Sequence, residues 1–105
     1  MATVELHEQQ WKKFSENDYA VIDCYGENCT ACVMLEPIFD AVADELAGVS
    51  FGRVNLSFEP EIADTYGIDA MPTLLLFRKG QLVDRFVGSM SREELLELMS
   101  RLLYQ

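Results

Sequence analysis

Two cysteines separated by two residues, Cys29-Thr30-Ala31-Cys32, carry the most evident chemistry in this 105-residue chain. A pair at that spacing can close a small disulfide ring where a helix begins. The first cysteine then lies among backbone N–H groups that lack an intrahelical partner, and their partial positive charge favours thiolate over thiol. Only the thiolate attacks a disulfide sulfur, so Cys29 reads as the nucleophile. Cys32, one turn further in, is expected to be more buried and to resolve the mixed disulfide. The competing reading is half of a zinc site. Structural zinc normally takes four ligands. Beyond the pair, the sequence offers only Cys24 and His7 as sulfur or imidazole donors, and no second Cys-x-x-Cys. That favours redox chemistry over metal.

The flanking patterns predict how such a pair would be held. Residues 19–25 form a near-continuous apolar run interrupted by Asp23, as expected of a central strand covered on both faces. Gly26-Glu27-Asn28 predicts a turn, with a helix opening near Cys29 or Thr30. Met34, Leu35, Ile38, Phe39, Val42 and Leu46 recur at helical spacing and predict its core stripe. Pro37 is expected to kink this helix about one turn after Cys32, and Gly48 to close it as a C′ residue. Upstream, residues 3–6 suit a short edge strand and 7–14 a helix with Trp11 in the core and His7 at the surface. Downstream come a strand over 49–56, a short helix over 60–66 ended by Gly67, and a buried strand over 73–77. A turn at 79–81 leads into a hairpin partner over 82–87, and Gly88 breaks that strand. Ser91 and Glu94 then form a capping box for a last helix striped by Leu95, Leu98, Met99 and Leu102.

The predicted order is β-α-β-α-β-α-β-β-α. The strands flanking the cysteine helix should be parallel with a right-handed crossover, and the last two antiparallel. This is an α/β chain with a mixed central β-sheet and helices on both faces. A functional loop in such a sheet belongs at the C-terminal end of a central strand, which is where Cys29 falls.

No linker, repeat or low-complexity tract marks a boundary, so residues 1–105 read as a single domain. The net charge of -10 argues for solubility and against binding to nucleic acid or anionic lipid. No run is long enough to cross a membrane, and residues 1–8 carry no secretory-signal pattern. Three cysteines, an odd and low count, suit a reducing cytoplasmic setting, with one pair used for chemistry. No exposed apolar stripe is evident, which suggests a monomer.

The element order, together with several local features, resembles the thioredoxin family over essentially the whole chain. Alongside Cys29 and Cys32, these features are Asp23 in the strand before them, Pro37 in the helix after them and Arg53 on the second crossover strand. Met71-Pro72-Thr73 enters a strand, and Gly88 follows the last one. The family's usual Trp-Cys-Gly-Pro-Cys is here Asn28-Cys29-Thr30-Ala31-Cys32. Tyr25 stands where a second Trp is often found, and Arg53 where a lysine is common.

The resemblance implies a thioredoxin-like three-layer α/β/α fold and a thiol–disulfide oxidoreductase. Such a protein-disulfide reductase cycles between a Cys29–Cys32 dithiol and disulfide, with no bound cofactor and no metal. Its substrates would be disulfide-containing proteins, and its electrons would come from an NADPH-linked flavoprotein, a thioredoxin reductase. Asp23 would lie beneath Cys32 and move its proton, with a pKa raised by burial. Arg53, permanently charged, would oppose that rise on contact. Pro72 would follow a cis bond and turn the Met71 backbone towards the cysteines, where an extended substrate segment could pair. Gly88 would let substrate backbone approach, Met71 and Tyr25 would form an apolar docking rim, and Pro37 would tune the site through the helix. Cys24, on the opposite strand face from Asp23, reads as inert. The missing Trp and the polar Asn28 leave an alternative: an adaptor of the same fold that docks partners without turnover.

Overall fold

Nine elements follow one another in the order the patterning predicts. The structure, a computed structural model, describes residues 3–104. Strands β1 (Thr3–Glu5), β2 (Tyr19–Tyr25), β3 (Ser50–Asn55), β4 (Thr73–Arg78) and β5 (Gln81–Val87) alternate with helices α1 (Glu8–Ser15), α2 (Thr30–Glu45), α3 (Pro60–Tyr66) and α4 (Arg92–Tyr104). The strands lie in the order β1-β3-β2-β4-β5. β3 runs parallel to both β1 and β2, and β4 runs antiparallel to both β2 and β5. β2 is thus the middle strand, which is why its apolar run tolerates so little polarity.

Strand alternation splits the core into two. Val21 of β2 faces Leu35, Phe39 and Val42 of α2 and Leu95, Leu98 and Met99 of α4. Ile22 and Cys24 point the other way, onto Leu6, Trp11 of α1, Ile62 of α3 and Phe77. Two helices on each face give the three-layer architecture. Asp23 shares the Val21 face by its period-2 position. In the second core, Trp11 Nε1–H donates to Tyr66 Oη at 3.0 Å, so the indole is buried without an orphaned donor. At the last helix the capping box forms: Ser91 Oγ accepts from Glu94 N–H at 3.1 Å, and Ser91 N–H donates to Glu94 Oε1 at 2.9 Å.

Two local expectations are corrected. Helix α2 ends at Glu45 rather than running to Gly48, because Leu46 takes an extended conformation (φ -104°, ψ 121°) and packs against the core. Gly48, with φ +85°, belongs to the turn beyond. Met34 is not core. The buried residues of α2 are Cys32, Leu35, Phe39, Val42 and Ala43, a 3-4 spacing that leaves Met34 one residue off the seam and 61% exposed.

Gly52 of β3 is closely covered by Leu6 and Phe14. A Cβ there would lie 2.8 Å from both Leu6 Cδ1 and Phe14 Cε1. Gly52→Ala should therefore destabilise the fold by about 1–3 kcal/mol through overpacking. Thermal unfolding followed by circular dichroism should show a Tm lowered on the order of 5 °C or more. An unchanged Tm would mean that Leu6 and Phe14 relax at no cost.

Candidate active site

The site begins where β2 runs out. After Tyr25 the chain turns through Gly26, and Asn28 takes a positive φ of 54°, a conformation its short polar side chain tolerates better than most. Cys29 then occupies the N-cap of α2 in extended geometry (φ -121°, ψ 99°), and its Sγ accepts the Cys32 N–H at 3.1 Å. The two cysteines are joined as a disulfide, with Cα atoms 5.2 Å apart. Cys29 is partly exposed and Cys32 only 2% exposed. An N–H at this position favours a thiolate at the Cys29 sulfur.

The segment opposite Cys29 is Met71-Pro72. Their peptide bond is cis. The Met71 carbonyl oxygen lies 3.6 Å from Cys29 Sγ, so the backbone faces the pair as expected. Gly88 N–H donates to the Pro72 carbonyl at 2.8 Å, which brings Gly88 to the same place. The Met71 side chain covers buried Gly26, where an added Cβ would collide with its sulfur. Tyr25 is turned towards Arg53 and Glu5, its Oη donating to Glu5 Oε2 at 2.7 Å. Burial and that bond push its phenol up to about 12.

A cleft of about 590 Å³ opens beside the disulfide, lined among others by Tyr25, Asn28, Cys29, Cys32, Glu36 and Arg53. Below it, Asp23 is fully buried. Arg53 Nε reaches Asp23 Oδ2 at 3.4 Å, while Asp23 Oδ1 has no hydrogen-bond partner among the described residues. Burial raises the Asp23 carboxyl to about 6. Arg53 opposes the rise through charge and hydrogen bond, and Glu36 and Glu5 add to it. Arg53 is also stacked 4.0 Å above the Tyr25 ring.

Cys24 is fully buried in the opposite core, with its thiol pushed well above the ordinary range by burial. Pro37 sits inside α2, where it removes the N–H that would bond the Val33 carbonyl. Two residues at the site escaped the sequence reading. Val33 lines the cleft and is 68% exposed. Glu36 lines it too, and its Oε2 accepts from Arg53 Nη1 at 3.2 Å. The signal for Glu36 was its i+4 position from Cys32, which places it on the same helical face. Among the described residues no group of three or more His, Cys, Asp or Glu could hold a metal ion. Nor is any helix among them long and apolar enough to cross a membrane.

The family model for thioredoxin matches residues 2–101. A thioredoxin of Chlamydia caviae is 33% identical over 93 residues, which cover 89% of this chain and 91% of that one. A thioredoxin of Mycoplasma pneumoniae is 35% identical over 88 residues, covering 84% and 86%. Among solved structures, thioredoxin from Malassezia sympodialis superposes with a TM-score of 0.86 at 29% identity, over 96% of this chain and 91% of its own. A mutant thioredoxin from Halobacterium salinarum gives 0.89 at 25% identity, over 98% and 92%.

Proposed function

As the chain belongs to the thioredoxin family and is a thiol–disulfide oxidoreductase, a protein-disulfide reductase, we propose that Cys29 attacks, Cys32 resolves and Asp23 takes the Cys32 proton. The Cys29 thiolate attacks one sulfur of a substrate disulfide. A Cys29–substrate bond forms, the substrate S–S bond breaks, and the displaced thiolate takes a proton from solvent. Cys32 then loses its proton to Asp23 and attacks Cys29 Sγ. The Cys29–Cys32 disulfide forms, and the second substrate thiolate leaves and is protonated. Two electrons and two protons have passed to the substrate.

One observation carries this reading: Cys29 Sγ accepts the Cys32 N–H while facing the Met71 carbonyl. The first contact stabilises a thiolate. The second sets the Met71 backbone beside it, with Gly88 adjoining. An extended segment of a disulfide-containing protein can add its backbone there, in the manner of strand addition. Asp23 suits its role because a carboxyl near 6 is divided between acid and base close to neutral pH. Arg53 restrains the rise that burial causes, and Pro37 shapes the helix that carries Cys32.

Members of the family act on disulfide substrates and are re-reduced by thioredoxin reductase, so an NADPH-linked flavoprotein of that kind is the electron donor proposed here. The reading includes a cytoplasmic monomer that uses no metal or bound cofactor beyond its own disulfide.

The roles are tested by trapping. Cys32→Ser should accumulate a mixed disulfide between Cys29 and a model protein disulfide, seen as a mass adduct that dithiothreitol releases. Cys29→Ser should give none. If Cys29→Ser traps and Cys32→Ser does not, the two roles are reversed.

A further inference from the structure

The mechanism so far leaves Glu36 without a task, although it lies on the cleft wall one helical turn beyond Cys32. Its contact with Arg53 is 3.2 Å, shorter than the 3.4 Å from Arg53 to Asp23. Arg53 has little freedom to serve each in turn. Its side chain is 12% exposed, and its guanidinium lies against the Tyr25 ring, which is itself tied to Glu5. One planar cation is therefore divided between an exposed carboxylate and a buried one. A guanidinium committed to a single carboxylate presents two parallel N–H groups and occupies both oxygens. Here it does not: only Nε reaches Asp23, and Oδ1 is left open.

We propose that Glu36 is a positioning residue for the resolving half-reaction. It draws Arg53 outward, prevents a bidentate clamp on Asp23, and so keeps one buried carboxylate oxygen free to take the Cys32 proton. This rests on the reading that Asp23 accepts that proton. The step balances as before: the proton passes from Cys32 Sγ to Asp23 Oδ1, and the Cys32 thiolate displaces the substrate sulfur from Cys29. Asp23 then returns its proton to solvent.

The charged and titratable groups around Asp23 come from every element packed against it. They are Arg53 on β3, Glu36 on α2, Glu5 on β1, and Cys24 beside it on the opposite strand face. On β4 the residue paired with Asp23 is Leu74, which does not titrate. Glu36 is thus the group that both touches the arginine and reaches solvent at the cleft. Its own negative charge also favours the protonated form of Asp23.

The experiment is a carbonyl-13C NMR titration of Asp23 in the oxidised protein, paired with the pH profile of the resolving step. The latter is read as release of a chromogenic thiol from a mixed disulfide preformed on Cys29. In Glu36→Gln, Arg53 is free to close on Asp23. The Asp23 midpoint should fall by about one pH unit, a tenfold change in proton affinity. The acid limb of the resolving profile should move down with it. Glu36→Ala should give the same shift. Combination with Arg53→Gln separates positioning from direct charge repulsion. Acting through Arg53, the Glu36→Gln shift should shrink to less than half in that background. An unmoved midpoint in both Glu36 variants, or a shift that persists in full without Arg53, would overturn the proposal. Asp23→Asn tests the underlying reading separately. If its resolving profile matches the wild type, Asp23 is not the proton acceptor, whatever the Glu36 titration shows.

Discussion

Cys29→Ser should abolish disulfide-reduction turnover while leaving the fold intact. The activity loss is expected to be about 10³-fold or more, the scale on which removing a nucleophile acts, down to the rate of the supplied dithiol alone. A serine hydroxyl is not ionised at neutral pH and cannot attack a disulfide sulfur as a thiolate does. No other thiol can take over. Cys32 lies a turn into the helix and is buried, and Cys24 sits in the opposite core with its thiol held firmly protonated. The fold should survive because position 29 is the N-cap of α2, where its side chain accepts the Cys32 N–H. Serine is among the preferred residues for that task. Comparing reduced wild type with the variant should therefore show equal or slightly higher Tm and no turnover. Cys24→Ala, by the same reasoning, should keep full activity. Residual turnover in Cys29→Ser beyond the dithiol background would move the nucleophile elsewhere.

Most of this architecture was legible because the signals were periodic or spatially redundant. β2, apolar apart from Asp23, has the pattern of a central strand, and the 3-4 spacing along α2 fixed which face it buries. The cysteines, Asp23 and Pro72 were legible as positions within a known pattern. What stayed hidden was cooperative. No local rule indicates that Arg53 is shared between Asp23 and Glu36, since the three residues come from three elements and meet only through the β2–β3 register that pairs Asp23 with Arg53. The end of α2 was misplaced for a related reason. Leu46 continues the helical spacing, yet leaves the helix because an extended backbone lets it reach the core. Met34 was assigned to the interior on hydrophobicity, although one residue's offset on a helix turns a side chain through about 100°. With Val33 and Met71, Met34 leaves apolar surface exposed on and beside the cysteine helix. The sequence reading placed an apolar docking rim at Met71 and Tyr25, and Val33 and Met34 add exposed aliphatic surface that it did not include.

Asp23→Asn should make the protein more stable at neutral pH, and the gain should depend on pH in a defined direction. The Asp23 carboxyl is raised by burial from 3.8 to about 6 in the folded protein. Between those values the folded state holds a proton that the unfolded state has released. Stability therefore falls as pH rises from about 4 to about 6, and the penalty is fully present above that window. At 1.36 kcal/mol for each unit of pKa difference, the cost at pH 7–8 is on the order of 3 kcal/mol. Asparagine carries no charge to bury. It can still accept the Arg53 N–H through its side-chain oxygen, and Arg53 keeps Glu36 as a charged partner. Urea unfolding of oxidised wild type and variant from pH 4 to 8 should give curves that nearly meet at pH 4 and diverge by about 2–3 kcal/mol at pH 8. A constant offset across that range would mean that Asp23 titrates alike in both states, and the buried acid would lose its basis as a proton carrier. Divergence, together with a slower resolving step in the same variant, would tie the two effects to one carboxylate. A side chain that destabilises the fold at neutral pH suits the proposed role, since a proton acceptor must be ionised there. The open Oδ1, the partial hold of Arg53 and the lost stability are then three consequences of one requirement.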